Sequence, residues 1–336
     1  MENWKSYLKK DATEWLLESN PWTRYKTLTD ILEYAEYSSK AKEAKTDLLK
    51  HPLIIAMAED TLNWQPRIPT RNNDPKITYF KLQMLAQFGL KHTDLMLTET
   101  VYKATDHVID DMFAVRGYEP EKPKKGEKYE KPDLTADVWH VAPCNSPSLT
   151  SILLELGVQD AQLNKAIEKL RDKWLDNIGW FCNYFFVNSQ FKKLKIGCPI
   201  AGLKALEVFS LVPNLKSSVF SNNAFEPIQF HKDYGKSLYY FGRSKKFWTF
   251  KYPYVWYNAL YLTDVLTRFE QFKKTTLVKE LIQWILEAQN DEGKYKPTSM
   301  YMPYKNWDFA DKKNTSPWIT FLCYRILKRY FGGFKV

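Results

Sequence analysis

The chemistry open to this 336-residue chain is bounded by four cysteines and five histidines. Cys144, Cys182, Cys198 and His231 together make three thiolates and an imidazole, a donor set that can hold tetrahedral zinc. His140, four residues before Cys144, is the alternative fourth ligand. The spacing is long-range and matches no compact zinc motif. Buried cysteines that simply pack are the competing reading. Cys323 lies within an apolar helical stretch and reads as packing. Asp106, Asp110 and Asp111 form a D-x-x-x-D-D cluster. On a helix, positions 106 and 110 share a face, and the plain reading is a polar patch on an outer helix. Tyr79, Trp256, Tyr257 and Trp318 are the cavity-lining candidates, with Phe80 beside them. Aromatic faces stabilise a bound cation by about 0.5–2 kcal/mol each, or they only pack. Arg24, Arg325, Lys328 and Arg329 can pair with an anionic ligand or finish helix ends. No phosphate loop, G-x-G-x-x-G, H-E-x-x-H or G-x-S-x-G occurs.

These residues need elements to position them, and the elements are read from a repeat. A proline heads an apolar helical segment at Asn20-Pro21, Asp74-Pro75, Ser146-Pro147, Cys198-Pro199, Tyr252-Pro253 and Ser316-Pro317. Proline suits the first helical position, where its missing N–H would be unpaired anyway. Asn, Asp and Ser before it can cap the first turn. Between the headed segments lie amphipathic stretches: Ala41 to Ala58, Leu95 to Met112, Gln162 to Leu175, Lys216 to His231 and Thr275 to Gln289. The headed segments are apolar on more than one face, as expected of helices buried on both sides. The fifth is expected from Tyr254 to about Phe269. Inner apolar helices alternating with outer amphipathic ones predict an all-α fold, an (α/α)6 toroid occupying residues 1–336 as a single domain. An open solenoid is the competing arrangement, but six pairs favour a ring, which needs no capping repeats. In such a ring Cys144, Cys182 and Cys198 fall at one end.

One segment carries a resemblance. Trp284-Ile285, Gln289, Gly293 and Tyr295 are similar to the QW motif of squalene and terpenoid cyclases, with Tyr295 in place of the motif's Trp. Asn20 to Leu32, Pro143-Cys144, Gly197 to Leu206 and Thr315 to Tyr330 extend the likeness. The chain resembles the terpenoid cyclase and protein prenyltransferase toroid superfamily, nearest to a prokaryotic squalene-cyclase-like branch. The resemblance implies a toroid with a central apolar cavity for an isoprenoid-like ligand. It leaves the reaction open. The D-x-D-D acid of class II cyclases is absent. The D-D-x-x-D magnesium site of class I is absent too, since Asp110-Asp111 is followed by Ala114. The D-x-C zinc pattern of prenyltransferases precedes none of the cysteines. In the resembling branch a His follows the cysteine at position 198, where this chain has Pro199. Whether the chain is an enzyme therefore stays open.

Composition narrows the partners. The formal charge is +10, yet the basic residues are scattered. The densest run, residues 121–131, mixes lysines with acids and reads as a solvated loop. A nucleic-acid partner is not expected; an apolar small molecule, a protein partner on an end face, and peripheral contact with an anionic membrane all remain open. Aromatic residues make up 16% of the chain, and glycine is scarce at 12 residues, which argues against a turn-rich β protein. The first twenty residues hold no uninterrupted apolar stretch and four cysteines make no disulfide framework, so a cytoplasmic protein with reduced or metal-bound thiols is expected.

Overall fold

The computed structural model describes residues 3–69, 71–117, 133, 135–174, 179–180, 196–233 and 244–332. Its described residues are mostly helical, so the all-α expectation holds. The longer helices, with one six-residue helix at the start, are α1 (Pro21–Lys26), α2 (Ser39–Lys50), α3 (Pro52–Thr61), α4 (Thr78–Gln87), α5 (Leu97–Thr105), α6 (Asn145–Glu155), α7 (Ala161–Asp172), α8 (Pro199–Phe209), α9 (Val219–Asp233), α10 (Ala259–Leu266), α11 (Thr276–Glu287) and α12 (Pro317–Gly332). The strands β1 (Val108–Ile109), β2 (Met112–Phe113), β3 (Val115–Arg116) and β4 (Trp139–His140) pair antiparallel as β1–β2 and β3–β4. Among the described residues no helix is long and apolar enough to cross a membrane.

The helix starts follow local chemistry. Pro21, Pro199 and Pro317 stand at the first helical position, as their spacing predicts. The Asn20 side chain accepts from the Thr23 N–H at 3.0 Å, and the Ser316 hydroxyl accepts from the Ile319 N–H at 3.1 Å. Pro147 sits third in α6. Pro75 and Pro253 head no helix. Residues 74–77 form a turn before α4, and the fifth apolar helix begins only at Ala259, where Asn258 accepts from the Tyr261 N–H at 2.9 Å. An Asn cap, whose short side chain reaches the first-turn N–H, outcompetes Tyr252, whose hydroxyl stands too far from its own backbone to cap. The outer stretch at 41–58 is split at His51-Pro52 into α2 and α3, because Pro52 has no N–H to continue the ladder. The stretch from Leu95 stops at Thr105 and turns into the β1–β2 hairpin.

Contacts between residues gather the chain into two compact units, whose boundaries fall inside α3 and α4. The first comprises Met1–Met57, Met84–Leu90 and Leu238–Val336, the second Ala58–Gln83 and Lys91–Ser237. In the first, α12 is the longest helix and is buried over most of its length. Its residues Trp318 to Leu327 are all buried, and it packs on α1, on α10 and on the π-helical turn Thr27–Ile31. The first residues of the chain are fastened to the last elements of this unit. The Gln289 side chain accepts from the Lys9 N–H at 3.1 Å and donates to the Tyr7 carbonyl at 3.3 Å. The Tyr324 hydroxyl accepts from the Ala12 N–H at 3.0 Å and lies 3.1 Å from the Lys10 carbonyl. Gly293 has φ +71°, and a side chain there would meet the Lys10 carbonyl at 1.8 Å. The Gln and Gly of the QW-like segment are thus both required by this clasp.

In the second unit α6 packs on α7 and α8, and α8 lies against α9. Gly202 permits that approach, since a Cβ there would stand 2.4 Å from the Ala224 carbonyl. Every residue of α8 is buried, including Lys204 and Glu207.

Candidate functional site

The first unit holds a cluster of rings built from four parts of the chain. Trp22 on α1 lies 5.5 Å from Phe88, just after α4, and 4.9 Å from Trp307. Phe88 lies 4.8 Å from Trp318 on α12, and Trp318 lies 5.5 Å from Tyr252. Phe309 closes the set, 4.9 Å from Tyr252. These rings are between 0% and 7% exposed. Ring pairs at such separations contribute about 0.5–1.5 kcal/mol each beyond area burial.

Polar atoms on two of these rings, and on other buried residues of the same unit, lack partners. The indole N–H groups of Trp22 and Trp318, the Thr23 and Thr27 hydroxyls, Asp308 Oδ1 and both ends of the Gln87 amide are shut from solvent and make no hydrogen bond. Gln87 is next to Phe88 at the end of α4, and Thr23 follows Trp22. A buried polar group without a partner costs about 1–3 kcal/mol, so several around one cluster call for something to satisfy them. Asp308 is half committed. Its Oδ2 accepts from the Ser316 hydroxyl at 2.5 Å and from the Trp318 N–H at 3.0 Å, which anchors the start of α12. Burial still pushes its carboxyl above the usual range, because these bonds offset only part of the desolvation.

A second buried acid of the same unit has the opposite surroundings. Asp264 on α10 accepts from Arg268 at 2.8 Å, Arg325 at 3.0 Å and Arg329 at 2.8 Å. Burial alone would raise its pKa, but the three guanidinium charges win and hold it far below the carboxylate range. Burial lowers Arg329 to about 10, against the pull of Asp264. Arg325 also lies 3.6 Å from Asp30. Lys328 donates to the Asp30 and Ile31 carbonyls at 2.8 and 2.9 Å, so it finishes the turn that follows α1. Arg24 pairs with Asp47.

The sequence-selected residues divide between the units. Trp318 belongs to the aromatic cluster. Trp256 and Tyr257 are half-buried in the loop before α10, with ring centres 5.6 Å apart. Tyr79, in the second unit, is buried and donates to Asn145 Oδ1 at 3.0 Å. Cys144, directly before α6, is half-buried within electrostatic reach of Tyr79 and Lys204. Burial lowers the Lys204 pKa, partly offset by Glu207 at 3.9 Å. Cys198 is buried at the head of α8. His231 is buried on α9 and bonds to the Gly197 backbone, one residue before Cys198; burial lowers its pKa to about 4. Cys182 lies outside the described residues. Among the described residues no three His, Cys, Asp or Glu side chains are placed to hold a metal. His140 pairs with Val115 across β3 and β4. Asp110 and Asp111 do not share a helix with Asp106. They form the two-residue loop of the β1–β2 hairpin, with φ +51° and +60°, the left-handed pair that such a tight turn demands and that Asp tolerates.

Asp264, Asp308, Gln87 and Lys204 escaped sequence reasoning. The legible signal for Gln87 was a pair of glutamines four apart, at 83 and 87, in a helix rich in apolar residues. Comparison with family models, curated proteins and solved structures gives no match to this chain.

Proposed function

We propose that the chain is an α/α toroid of the terpenoid cyclase and prenyltransferase kind, binding an apolar, isoprenoid-like molecule against the aromatic cluster of the first unit. The observation that carries the reading is the set of partnerless polar atoms around that cluster: Trp22 and Trp318 Nε1, the Gln87 amide and Asp308 Oδ1. Ligand sites combine an aromatic wall with a few placed polar groups. A long hydrocarbon bearing one oxygen function supplies both complements. Because the rings are closed to solvent, entry requires them to part, and binding is slow. The proposal is of binding, with no reaction assigned.

The test is titration of the purified protein with farnesol and with squalene, followed by tryptophan fluorescence. Saturable quenching that is weakened at least about tenfold by Gln87→Leu with Trp318→Phe is the expected result. Absence of saturation with both molecules, or saturation indifferent to the two substitutions, overturns the reading.

A further inference from the structure

The loop between α3 and α4 in the second unit carries a cleft that the aromatic cluster does not explain. It is open to solvent, has a cavity volume of about 50 Å³, and is lined by Gln65, Arg67, Asp74, Lys76 and Thr78 among others. Gln65 is 3% exposed and sits at φ +41°, a left-handed backbone that a residue with a side chain adopts at a cost. Its position is over-determined by Arg116, whose N–H donates to Gln65 Oε1 at 2.7 Å and whose guanidinium donates to the Gln65 carbonyl at 3.1 Å. The first bond fixes the amide orientation, because an N–H donor requires oxygen there. Gln65 Nε2 is left as a buried donor with no partner. Among the described residues neither Arg67 nor Lys76, both exposed, has an ion-pair partner. Asp74, the acid of the cleft, is occupied on one oxygen by the Lys76 N–H at 3.0 Å. Thr78 opens α4, so the positive end of that ten-residue helix also lies at the cleft.

We infer that this cleft binds a small oxyanion, a phosphate or a carboxylate. Arg67 and Lys76 supply the countercharge, while the first turn of α4 and Gln65 Nε2, which is shut from solvent in the free protein and is reached by a small side-chain shift on binding, supply directed donors. The strained backbone at Gln65 serves to present the amide. Phosphate and carboxylate share this chemistry and differ in charge and in the number of acceptor oxygens.

The probes are inorganic phosphate and acetate, titrated into the full-length protein by calorimetry at low ionic strength. Saturable binding of at least one anion is expected, and the tighter of the two identifies the ligand class. Arg67→Gln with Lys76→Gln weakens it at least about tenfold, whereas Arg71→Gln, on the same loop but off the cleft, changes it less than about twofold. Gln65→Glu keeps an acceptor for the Arg116 N–H and replaces the free donor with a carboxylate oxygen; it abolishes binding while the circular dichroism of the protein is unchanged. No saturable heat with either anion overturns the inference. So does equal weakening by Arg71→Gln, or undiminished binding to Gln65→Glu.

Discussion

Asp264 and Asp308 are buried acids of one unit, both attached to α12, and their surroundings drive them in opposite directions. Asp264 is ringed by three guanidiniums and stays ionised. Asp308 has a hydroxyl and an N–H on one oxygen, Trp307 and Phe309 on either side of it in sequence, and, among the described residues, no ion-pair partner. The pair shows how differently two buried acids of one unit are surrounded. Around Asp264 the charges are matched inside the protein, so the cluster serves architecture by tying α10 to α12. Around the rings next to Asp308 several buried polar atoms have no partner, and the proposed binding rests on them.

The largest effect should come from breaking the matched half. Asp264→Ala leaves three guanidiniums buried together and should cost about 3–5 kcal/mol in denaturant unfolding. A loss below about 1 kcal/mol would mean that the arginines escape to water and the cluster is not structural.

Acid sharpens the contrast through sign. Asp264 has a lowered pKa, so its contribution is complete above the unfolded carboxylate value of about 3.9 and is lost as pH falls below it. Asp308 has a raised pKa, so its contribution is complete below that value and declines as pH climbs through the raised one. His231 adds a third window. Its pKa falls from 6.5 to about 4 on folding, so the unfolded chain takes up the proton first. Stability should drop by on the order of 1–3 kcal/mol between pH 6.5 and 4. His231→Phe should flatten that interval in pH-dependent unfolding; an unchanged slope would assign it to another group.

Substitution of Gln289 by Ala tests the clasp. Removing the two part-buried side-chain hydrogen bonds to Lys9 and Tyr7, while the Lys9 ammonium keeps its bond to the residue 289 carbonyl, should cost about 1–2 kcal/mol, with amide exchange faster in residues 7–12. If exchange rises elsewhere instead, the clasp does not hold the first segment. The smallest effect is expected at Asp308→Asn. Its carbonyl can keep the Ser316 and Trp318 bonds, so the change at neutral pH should stay within about 1 kcal/mol. A loss as large as that of Asp264→Ala would erase the difference between the two acids.

How much of this was legible in the chain depended on whether the signal was local. Pro21, Pro199 and Pro317 open helices because the first helical position is settled by proline and its neighbour. Pro75 and Pro253 carry the same dipeptide sign without the helix, since the turn at 74–77 and the Asn258 cap take precedence. Asp110-Asp111 read as an acidic helix face because positive φ has no unambiguous mark in sequence. Trp318 was legible as a buried aromatic, but its partners Trp22, Phe88 and Trp307 come from distant positions joined only by packing. The Asp264 cluster is visible in hindsight as Asp264 with Arg268 and Arg325 with Arg329, each four apart. That α10 and α12 bring the pairs together is a tertiary fact. Cys198 and His231 were chosen as metal ligands, and the Gly197 contact does place them in one neighbourhood.

The account turns on whether the unmatched polar atoms beside the rings are there for a guest. Unfolding of Gln87→Leu with Trp318→Phe, measured with and without farnesol, addresses this most directly. Gln87→Leu removes a partnerless amide, whereas Trp318→Phe shortens a fully buried ring, so the free protein should lose no more than about 3 kcal/mol, while stabilisation by farnesol disappears. A variant that is still stabilised by farnesol as the parent is would contradict the account.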